Sequence, residues 1–147
     1  MNKSFVATFV FTFLIFKISA KTMTRCQLAI ELIRQGFPVN QLQDWVCLVE
    51  NESARNTSAI GGPNSNGSYD YGLFQINGKY WCAEGVNGGD CNMKCEDLID
   101  DDITDDSKCC LEMIYPRHGF NAWHGWERKC KYHPLPDVTH CFNEVTL

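Results

Sequence analysis

The chain has little positive charge. Of its 147 residues, 13 are Lys or Arg and 18 are Asp or Glu, so its formal net charge is −5. A protein that binds nucleic acid needs a basic face against the phosphates, and this balance argues against that class of partner. The sequence shows no internal repeat or linker, and its length allows one domain, because domains cluster at roughly 100–150 residues.

The chain also lacks an apolar run long enough to cross a membrane. The run from Phe5 to Phe16 ends at Lys17, whereas a spanning helix needs about 20 apolar residues. Lys3 precedes the run and a small residue, Ala20, closes it. This layout is typical of a secretory signal peptide, with an uncleaved anchor as the alternative.

We therefore expect residues 1–20 to be a cleaved signal peptide and residues 21–147 to be the mature domain. The protein is then secreted and free of the membrane. Cleavage removes Lys3 and Lys17 but no acidic residue, so the formal net charge of the mature chain is −7.

Cysteine is abundant, and its count is odd. All nine cysteines follow the predicted signal peptide. In an oxidising compartment an even set of them forms disulfides, each of which stabilises the fold by roughly 2–4 kcal/mol. The spacing alone does not identify the pairs, and one cysteine is left over.

The predicted elements alternate between helix and a small sheet. Asn66-Gly67 is the strongest hairpin signal in the chain, and Pro116 and Gly119 are expected to close the third helix. The order of helices, small sheet and helices predicts an α+β fold. Helices are predicted over residues 26–35, 41–53 and 105–114, a strand over 69–76, disulfide-held loops over 82–95, and a helical turn around 123–129.

Two carboxyls lie in contrasting local sequences. Glu52 lies at the end of an apolar helix, where poor solvation favours the protonated form that a general acid needs. Asp70 lies among polar side chains and is expected to stay ionised. Two carboxyls whose pKa values are pushed apart suit glycosidic-bond cleavage, in which one donates a proton and the other stabilises or traps the oxocarbenium centre. Most acidic residues only solvate a surface, so composition alone leaves that alternative open.

The segments around these carboxyls resemble the c-type lysozyme family, close to its insect members. The resemblance spans Lys21 to Cys141. It implies a helical lobe, a small antiparallel sheet lobe, an active-site cleft between them and four disulfides. Glu50 does not align with the family's acid. The matching segments are Trp45-Val46-Cys47 with Glu52-Ser53 for the acid, Asp70-Tyr71-Gly72-Leu73-Phe74-Gln75-Ile76-Asn77 for the signature run with the second carboxylate, and Asn121-Ala122-Trp123 for the segment that packs Trp123 over the acid.

The resemblance also implies a set of residues that bind sugar rings or orient the catalytic Asp. Pyranose faces stack on aromatic rings and amides hydrogen-bond to hydroxyls, although packing in the core or sheet is the alternative role for each. Tyr80 stands where the family commonly has Trp. The implied residues are Asn64, Gln75, Asn77, Tyr80, Trp81, Ala122 and Trp123.

The family's disulfide pairing accounts for eight of the nine cysteines. We expect the remaining one, Cys110, to be a buried free thiol rather than a thiol that forms a dimer. A zinc site of Cys91, Cys95, Cys109 and Cys110 is the alternative, and it would break two of the implied bridges. Those bridges are Cys26–Cys141, Cys47–Cys130, Cys82–Cys95 and Cys91–Cys109.

An acidic segment, residues 97–106, holds six Asp residues in ten positions. Such a run is often a solvated surface, but a hard cation that gathers carboxylate and carbonyl oxygens would relieve the repulsion. The segment lacks the central Gly and closing Glu of an EF-hand. It resembles the calcium elbow of α-lactalbumin and of the calcium-binding lysozymes. That match implies Ca²⁺ held by side-chain oxygens of Asp100, Asp105 and Asp106 and by backbone carbonyls of Asp97 and Asp102.

Three mature sequons offer sites for N-glycosylation: Asn51-Glu52-Ser53, Asn56-Thr57-Ser58 and Asn66-Gly67-Ser68. The first adjoins the expected acid in a helix and is expected to be unused. A glycan at Asn66, beside the hairpin, would crowd the cleft.

The leading functional hypothesis is a secreted, monomeric hydrolase of peptidoglycan or related amino-sugar polymers. It cleaves the β-1,4 bond between N-acetylmuramic acid and N-acetylglucosamine with retention, and it needs no cofactor for the chemistry. The alternative is a non-catalytic, calcium-binding relative of the α-lactalbumin type. Retention of both Glu52 and Asp70 favours the enzyme. A mature charge of −7 gives no long-range attraction to anionic bacterial surfaces, so defence and digestion both remain open as roles.

Overall fold

The computed structural model describes residues 21–143. The signal peptide expected over residues 1–20 and residues 144–147 of the expected domain lie outside the described residues. Within the described part, no helix combines the length and apolar character that a membrane crossing requires.

The first two helices lie within a residue of their predicted limits. Helix α1 spans Arg25–Arg34 and α2 spans Leu42–Glu52. A capping box starts α1: Gln27 N donates to the Thr24 hydroxyl at 3.2 Å, and Thr24 N donates to the Gln27 side chain at 2.9 Å. The last residue of α2 is Glu52, so the end of this helix places the expected acid.

The third helical segment continues past its predicted end at residue 114. It comprises α3 (Thr104–Lys108), a π-helical stretch (Cys109–Ile114) and α4 (Tyr115–His118). Pro116 does not stop it: it is the second residue of α4, directly after the π-helical stretch. The chain leaves helical geometry at Gly119, whose φ is +58°. Helix α5, His124–Lys129, matches the predicted helical turn, and short 3-10 helices lie at Val39–Gln41, Cys95–Ile99, Gly119–Ala122 and Thr139–Phe142.

The sheet has three short antiparallel strands in sequence order: β1 (Ile60–Gly61), β2 (Asp70–Tyr71) and β3 (Ile76–Asn77). The predicted turn at residues 66–67 joins β1 to β2. A single strand over residues 69–76 was wrong, because the chain reverses inside that run. Gly72 has φ of +73°, and a Cβ there would overlap the carbonyl of Leu98, so the reversal requires glycine.

The core is centred on Trp45 of α2, which is fully buried. The Trp45 ring lies 4.7 Å from Phe37, 4.7 Å from Phe120 and 5.4 Å from Trp123 between ring centroids. These aromatic contacts tie α2 to the segment before α5, which holds the two sides of the helical lobe together.

Four disulfides join Cys26–Cys141, Cys47–Cys130, Cys82–Cys95 and Cys91–Cys109, the pairs that the resemblance implies. The zinc alternative was wrong, because three of its four cysteines are in disulfides. Cys110 is free and fully buried in the π-helical stretch, as expected. Burial raises the pKa of its thiol well above the usual value, which keeps it protonated and unreactive. The α+β fold is confirmed.

Candidate active site

A cleft of about 560 Å³ lies between the end of α2, the sheet and the start of α5. It brings together both expected catalytic carboxyls, Glu52 and Asp70, although they come from different lobes. All seven expected substrate residues line it as well. The full lining is Glu52, Asn64, Ser65, Asn66, Asp70, Gln75, Ile76, Asn77, Tyr80, Trp81, Ile114, Ala122, Trp123, His124, Gly125 and Arg128.

Glu52 is half-buried on the helical side of the cleft. Burial is the main cause that raises the pKa of this carboxyl above its usual value, and Asp70 raises it further. The backbone N–H of Gly125, which donates to Glu52 Oε1 at 2.8 Å, opposes the shift, as do the charges of Arg128 and His124. Because the net direction is upward, Glu52 holds a proton to higher pH than an exposed glutamate does.

The neighbouring carboxyl, Glu50, has the opposite character. Burial raises its pKa, but hydrogen bonds from Arg25 at 2.8 Å and Arg55 at 2.7 Å outweigh burial, so the pKa is lowered overall. Glu50 is therefore a charged partner for two arginines and does not line the cleft.

Asp70 begins β2 on the opposite wall, where two side-chain amides hold its carboxylate. Asn77 Nδ2 donates to Oδ1 at 2.6 Å, and Asn64 Nδ2 donates to Oδ2 at 2.9 Å. Asn77 lies directly opposite Asp70 in the sheet register, which is why the contact is short. Both asparagines also donate to the hydroxyl of Ser68, which fixes the amides in place. The two asparagines thus hold the Asp70 carboxylate in one orientation.

Two other residues expected to bind substrate, Gln75 and Trp123, have hydrogen-bonding groups that are already occupied within the protein. Gln75 has its amide nitrogen committed to the carbonyls of Ala59 at 3.1 Å and Gly72 at 2.9 Å, so it braces the sheet lobe. Trp123 is 4% exposed and donates from its indole to the carbonyl of Phe74 at 2.8 Å. It forms part of the rigid floor of the cleft.

The exposed aromatic surface of the cleft comes from Tyr80 and Trp81. Tyr80 is 54% exposed, and Trp81 is partly buried with His118 against its ring edge at 5.8 Å. Ala122, opposite them, is exposed and small. Lys79 Nζ lies over the Tyr80 ring at 5.3 Å, and Arg117 Cζ lies over the Trp81 ring at 5.9 Å. A sugar ring would stack on the part of each aromatic surface that these cations leave open.

Sequence reasoning missed four residues that act on the two carboxyls or on the amides that hold Asp70: Ser68, His124, Gly125 and Arg128. Gly125 approaches Glu52 so closely that a Cβ would overlap the carboxylate. It is 73 residues from Glu52 along the chain, so no local signal indicates the contact. The adjacency of Gly125 to the matched segment ending at Trp123 was the one available sign.

The acidic segment lies away from the cleft, where it leads into α3. Asp97 lies in the 3-10 helix that precedes the loop, and Asp100 and Asp102 lie in the loop itself. Asp106 is 1% exposed, and its Oδ1 has no hydrogen-bond partner among the described residues. Burial, with the nearby charges of Asp105 and Asp100, raises the pKa of Asp106 well above its usual value.

No three side-chain carboxylates of this segment lie close enough together to share an ion. Among residues 21–143, the one group of three acidic, His or Cys side chains close enough to share a metal ion is Cys26, His140 and Cys141. Its two cysteines are bonded to each other, so that group is a disulfide with a nearby histidine.

A family model described as "C-type lysozyme/alpha-lactalbumin family" matches residues 21–141. The chain is 56% identical to a lysozyme of Galleria mellonella over 122 residues, which cover 82% of this chain and 100% of that protein. It is 54% identical to lysozyme c-1 of Anopheles gambiae, over 84% of this chain and 86% of the relative.

Solved structures agree with the sequence comparisons. A lysozyme of Equus asinus superposes with a TM-score of 0.71 at 38% identity, covering 86% of this chain and 100% of that one. A calcium-binding lysozyme from equine milk gives a TM-score of 0.70 at 36% identity, with the same coverage.

Proposed function

This chain belongs to the C-type lysozyme/alpha-lactalbumin family, and from that premise we propose that it is a lysozyme acting on bacterial peptidoglycan. It is a glycoside hydrolase that cleaves the β-1,4 bond between N-acetylmuramic acid and N-acetylglucosamine, with retention of configuration. One observation carries the proposal. A half-buried carboxyl with a raised pKa faces a carboxylate held by two amides across one cleft.

Glu52 is the general acid in this mechanism. Its proton goes to the glycosidic oxygen as the bond to the anomeric carbon breaks, and the resulting carboxylate then takes a proton from the attacking water. The Gly125 N–H at 2.8 Å fixes the rotamer of Glu52 and stabilises the carboxylate that forms after proton transfer.

Asp70 faces the positive charge that develops at the anomeric carbon, either as nucleophile or as electrostatic stabiliser. Its two amide donors keep the carboxylate in one orientation, so no reorganisation is needed as the charge develops. Tyr80 and Trp81 line the same cleft and bind the sugar rings by stacking.

The non-catalytic alternative has less support. A non-catalytic protein has no need of two carboxyls in the cleft, whereas Glu52 and Asp70 both line it.

The test of the catalytic assignment is Glu52→Gln, which keeps the size of the side chain and removes its acidic proton. Lysis of bacterial cell walls is expected to fall by at least about a hundredfold, because general acid catalysis contributes roughly 10²–10⁴-fold. Near-UV circular dichroism verifies the fold. Glu112→Gln, an exposed glutamate outside the cleft lining, is the matched control and should lyse at the normal rate. Undiminished lysis by Glu52→Gln would rule out its role.

We also propose that the acidic segment binds Ca²⁺. The buried, unpartnered Oδ1 of Asp106 fits this ion, because a desolvated carboxylate oxygen needs a cation to compensate it. Asp100, Asp105 and Asp106 would supply carboxylate oxygens, and Asp97 and Asp102 would supply backbone carbonyls. The ion would stabilise the segment that leads into α3 and would take no part in the chemistry.

Thermal unfolding tests the calcium proposal. At a free concentration about 100 times Kd, a bound ion stabilises the fold by about 2.7 kcal/mol, so a chelator should lower Tm by several degrees. Added Ca²⁺ should restore Tm in the wild type and in the control Asp137→Asn, but not in Asp106→Asn. A Tm that the chelator leaves unchanged contradicts the site.

Secretion as a monomer completes the proposal. Four disulfides support an oxidising compartment, and the apolar run before Lys17 supports a cleaved signal. Secreted protein should therefore begin at Lys21 and elute as a monomer. A start at Met1 would contradict the cleavage, and a stable dimer would contradict the monomer.

A further inference from the structure

The three mature sequons have different surroundings in the fold. A transferred glycan is bulky and solvated, so the fold tolerates it only where the asparagine projects freely into solvent. The sequon asparagines are Asn51 at the end of α2, Asn56 in the loop after α2, and Asn66 at the tip of the hairpin between β1 and β2.

Two of these asparagines are poorly placed to carry a glycan. Asn51 is exposed, but its Nδ2, the atom to which the sugar attaches, donates to the carbonyl of Cys47 at 2.8 Å and contacts the Cys47–Cys130 disulfide. Asn56 is half-buried and its backbone bridges to Thr22. The residue after Asn56, Thr57, is 1% exposed, so this part of the chain is packed against the body of the protein.

Asn66 is exposed, and the turn around it is well defined. Gly67 N donates to the Asn64 carbonyl at 2.8 Å, and Asn64 N donates to the Ser68 carbonyl at 2.8 Å. The side-chain oxygen of Asn66 accepts from Ser68 N at 3.0 Å. This contact fixes the side chain through its oxygen, and no described residue accepts a hydrogen bond from Nδ2. Asn56 makes the equivalent contact with Ser58 N at 3.0 Å, so exposure is what separates the two sequons.

The same hairpin tip forms one lip of the cleft. Asn66 lines the cleft together with Asn64, whose amide holds Asp70 at 2.9 Å. Gly67 has open space where a Cβ would be, so no side chain shields the tip. Any group attached to Asn66 therefore lies at the entrance on the Asp70 side.

We propose that Asn66 is N-glycosylated and that its glycan restricts the cleft to thin, soluble amino-sugar chains in preference to cross-linked cell wall. Glycosylation at this site rests on the secretion proposed above, and the restriction rests on the proposed lysozyme activity. The donor is an oligosaccharide carried on a lipid diphosphate. The bond from its anomeric carbon to the diphosphate oxygen breaks, a new bond joins that carbon to Asn66 Nδ2, and the amide loses one proton.

The physical basis of the selection is the difference in width between the two substrates. A single soluble chain needs only the cleft itself, whereas cross-linked wall brings neighbouring strands and peptides against both lips. A flexible, hydrated glycan on one lip excludes the wider substrate and loses little conformational freedom when the narrow one binds.

The first experiment measures mass. The full chain with its own signal is secreted from a eukaryotic cell as wild type, Asn66→Gln, Asn56→Gln and Asn51→Gln. The mass of each secreted protein is measured by mass spectrometry before and after treatment with an N-glycan amidase. We expect one glycan in the wild type, in Asn56→Gln and in Asn51→Gln, and none in Asn66→Gln. An unmodified wild type, or a glycan that is lost in Asn56→Gln or Asn51→Gln instead, overturns the assignment.

The second experiment measures selectivity as the ratio of cell-wall lysis to hydrolysis of a soluble chitin oligosaccharide. The ratio should rise several-fold in secreted Asn66→Gln relative to the secreted wild type. Wild type and Asn66→Gln refolded from bacteria, which carry no glycan, are the matched pair. Because Asn66 lines the cleft, the difference between their ratios measures the effect of the side chain alone, and the rise in the secreted pair should exceed it. An equal ratio in the two secreted proteins refutes the restriction.

The failure of this inference and the failure of the proposed activity give different results. Mass detects the glycan whether or not the protein is active. If no form cleaves either substrate, the lysozyme proposal fails. If every form cleaves the soluble chain and the wild type carries no glycan, only the present inference fails.

Discussion

The two walls of the cleft hold the same functional group in opposite ways. On the helical wall, Glu52 is desolvated and receives a hydrogen bond from the Gly125 N–H at 2.8 Å. On the sheet wall, Asp70 receives two amide hydrogen bonds, at 2.6 and 2.9 Å. Burial favours a neutral carboxyl, whereas hydrogen-bond donors favour a charged one.

One cleft therefore contains two carboxyls, Glu52 and Asp70, in different surroundings. The two carboxyls are positioned by different secondary structure. Glu52 is the last residue of helix α2, where the helix leaves the apolar core, and the pairing of β2 with β3 places the amide of Asn77 opposite Asp70. Substitutions that alter the surroundings of only one of the two carboxyls should therefore change activity by different amounts, and the substitutions that follow are ordered by decreasing effect.

The largest effect is expected from Gly125→Ala, which disturbs the helical wall directly. A Cβ at this position would overlap the Glu52 carboxylate, so the acid must move. A displacement of about 1 Å can cost about 100-fold in rate, and we expect kcat to fall by that order on a soluble oligosaccharide.

The control for crowding alone is Gly88→Ala. Its Cβ would also be crowded, at 2.7 Å from the Cβ of Ala83, but Gly88 does not line the cleft. This variant should lose stability, by about 1–3 kcal/mol as is usual for overpacking, and keep its kcat. Equal kcat values for the two variants would contradict the positioning role of Gly125.

A smaller effect is expected when the sheet wall loses one donor. Asn77→Ala removes the 2.6 Å hydrogen bond to Asp70 and leaves the one from Asn64. A hydrogen bond to a charged group contributes about 1.5–3 kcal/mol. If the transition state needs that contact, kcat falls by about 10- to 100-fold. Asn87→Ala, an exposed asparagine outside the cleft, is the control. An unchanged kcat would mean that Asn64 alone suffices.

The smallest effect concerns the pH profile. Arg128 lowers the pKa of Glu52 through its charge, so Arg128→Gln raises that pKa. A general acid is lost as the pH rises through its pKa, and the alkaline limb of kcat/KM should therefore move to higher pH. Arg34→Gln removes a 72%-exposed arginine on α1 and should leave the limb in place. A limb that moves to lower pH would contradict the electrostatic account.

Local sequence predicted the helices well and the sheet less well. The apolar spacing gave α1 and α2 to within a residue, because this signal acts within a few positions. The reversal at Gly72 was missed, because its cause is the approach of the Leu98 carbonyl from a distant segment. The prediction that Pro116 helps to end the third helix was wrong. Pro116 lies near the start of α4, and the π-helical stretch that precedes α4 is not visible in the local sequence.

The candidate site divides in the same way. The two carboxyls and the seven substrate residues follow from motifs that lie on contiguous stretches of chain. The role of each of these residues cannot be predicted from those motifs, because it depends on hydrogen bonds between distant segments of the chain. Gln75 braces two backbone carbonyls, whereas Asn77 orients Asp70, and no property of either amide in sequence separates these roles.

The sequence by itself determined the residue types that the chemistry needs, the family, and the excess of acid over base. The resemblance already indicated Glu52 rather than Glu50 as the acid, but only tertiary structure decided the contacts that move their pKa values in opposite directions. Glu50 and Glu52 are two residues apart on one helix, yet Glu50 contacts two arginines and Glu52 contacts the backbone N–H of Gly125 at the start of α5. The physical reason is that a pKa depends on solvation and on charges within a few ångströms, and folding brings those neighbours from 73 residues away as readily as from five.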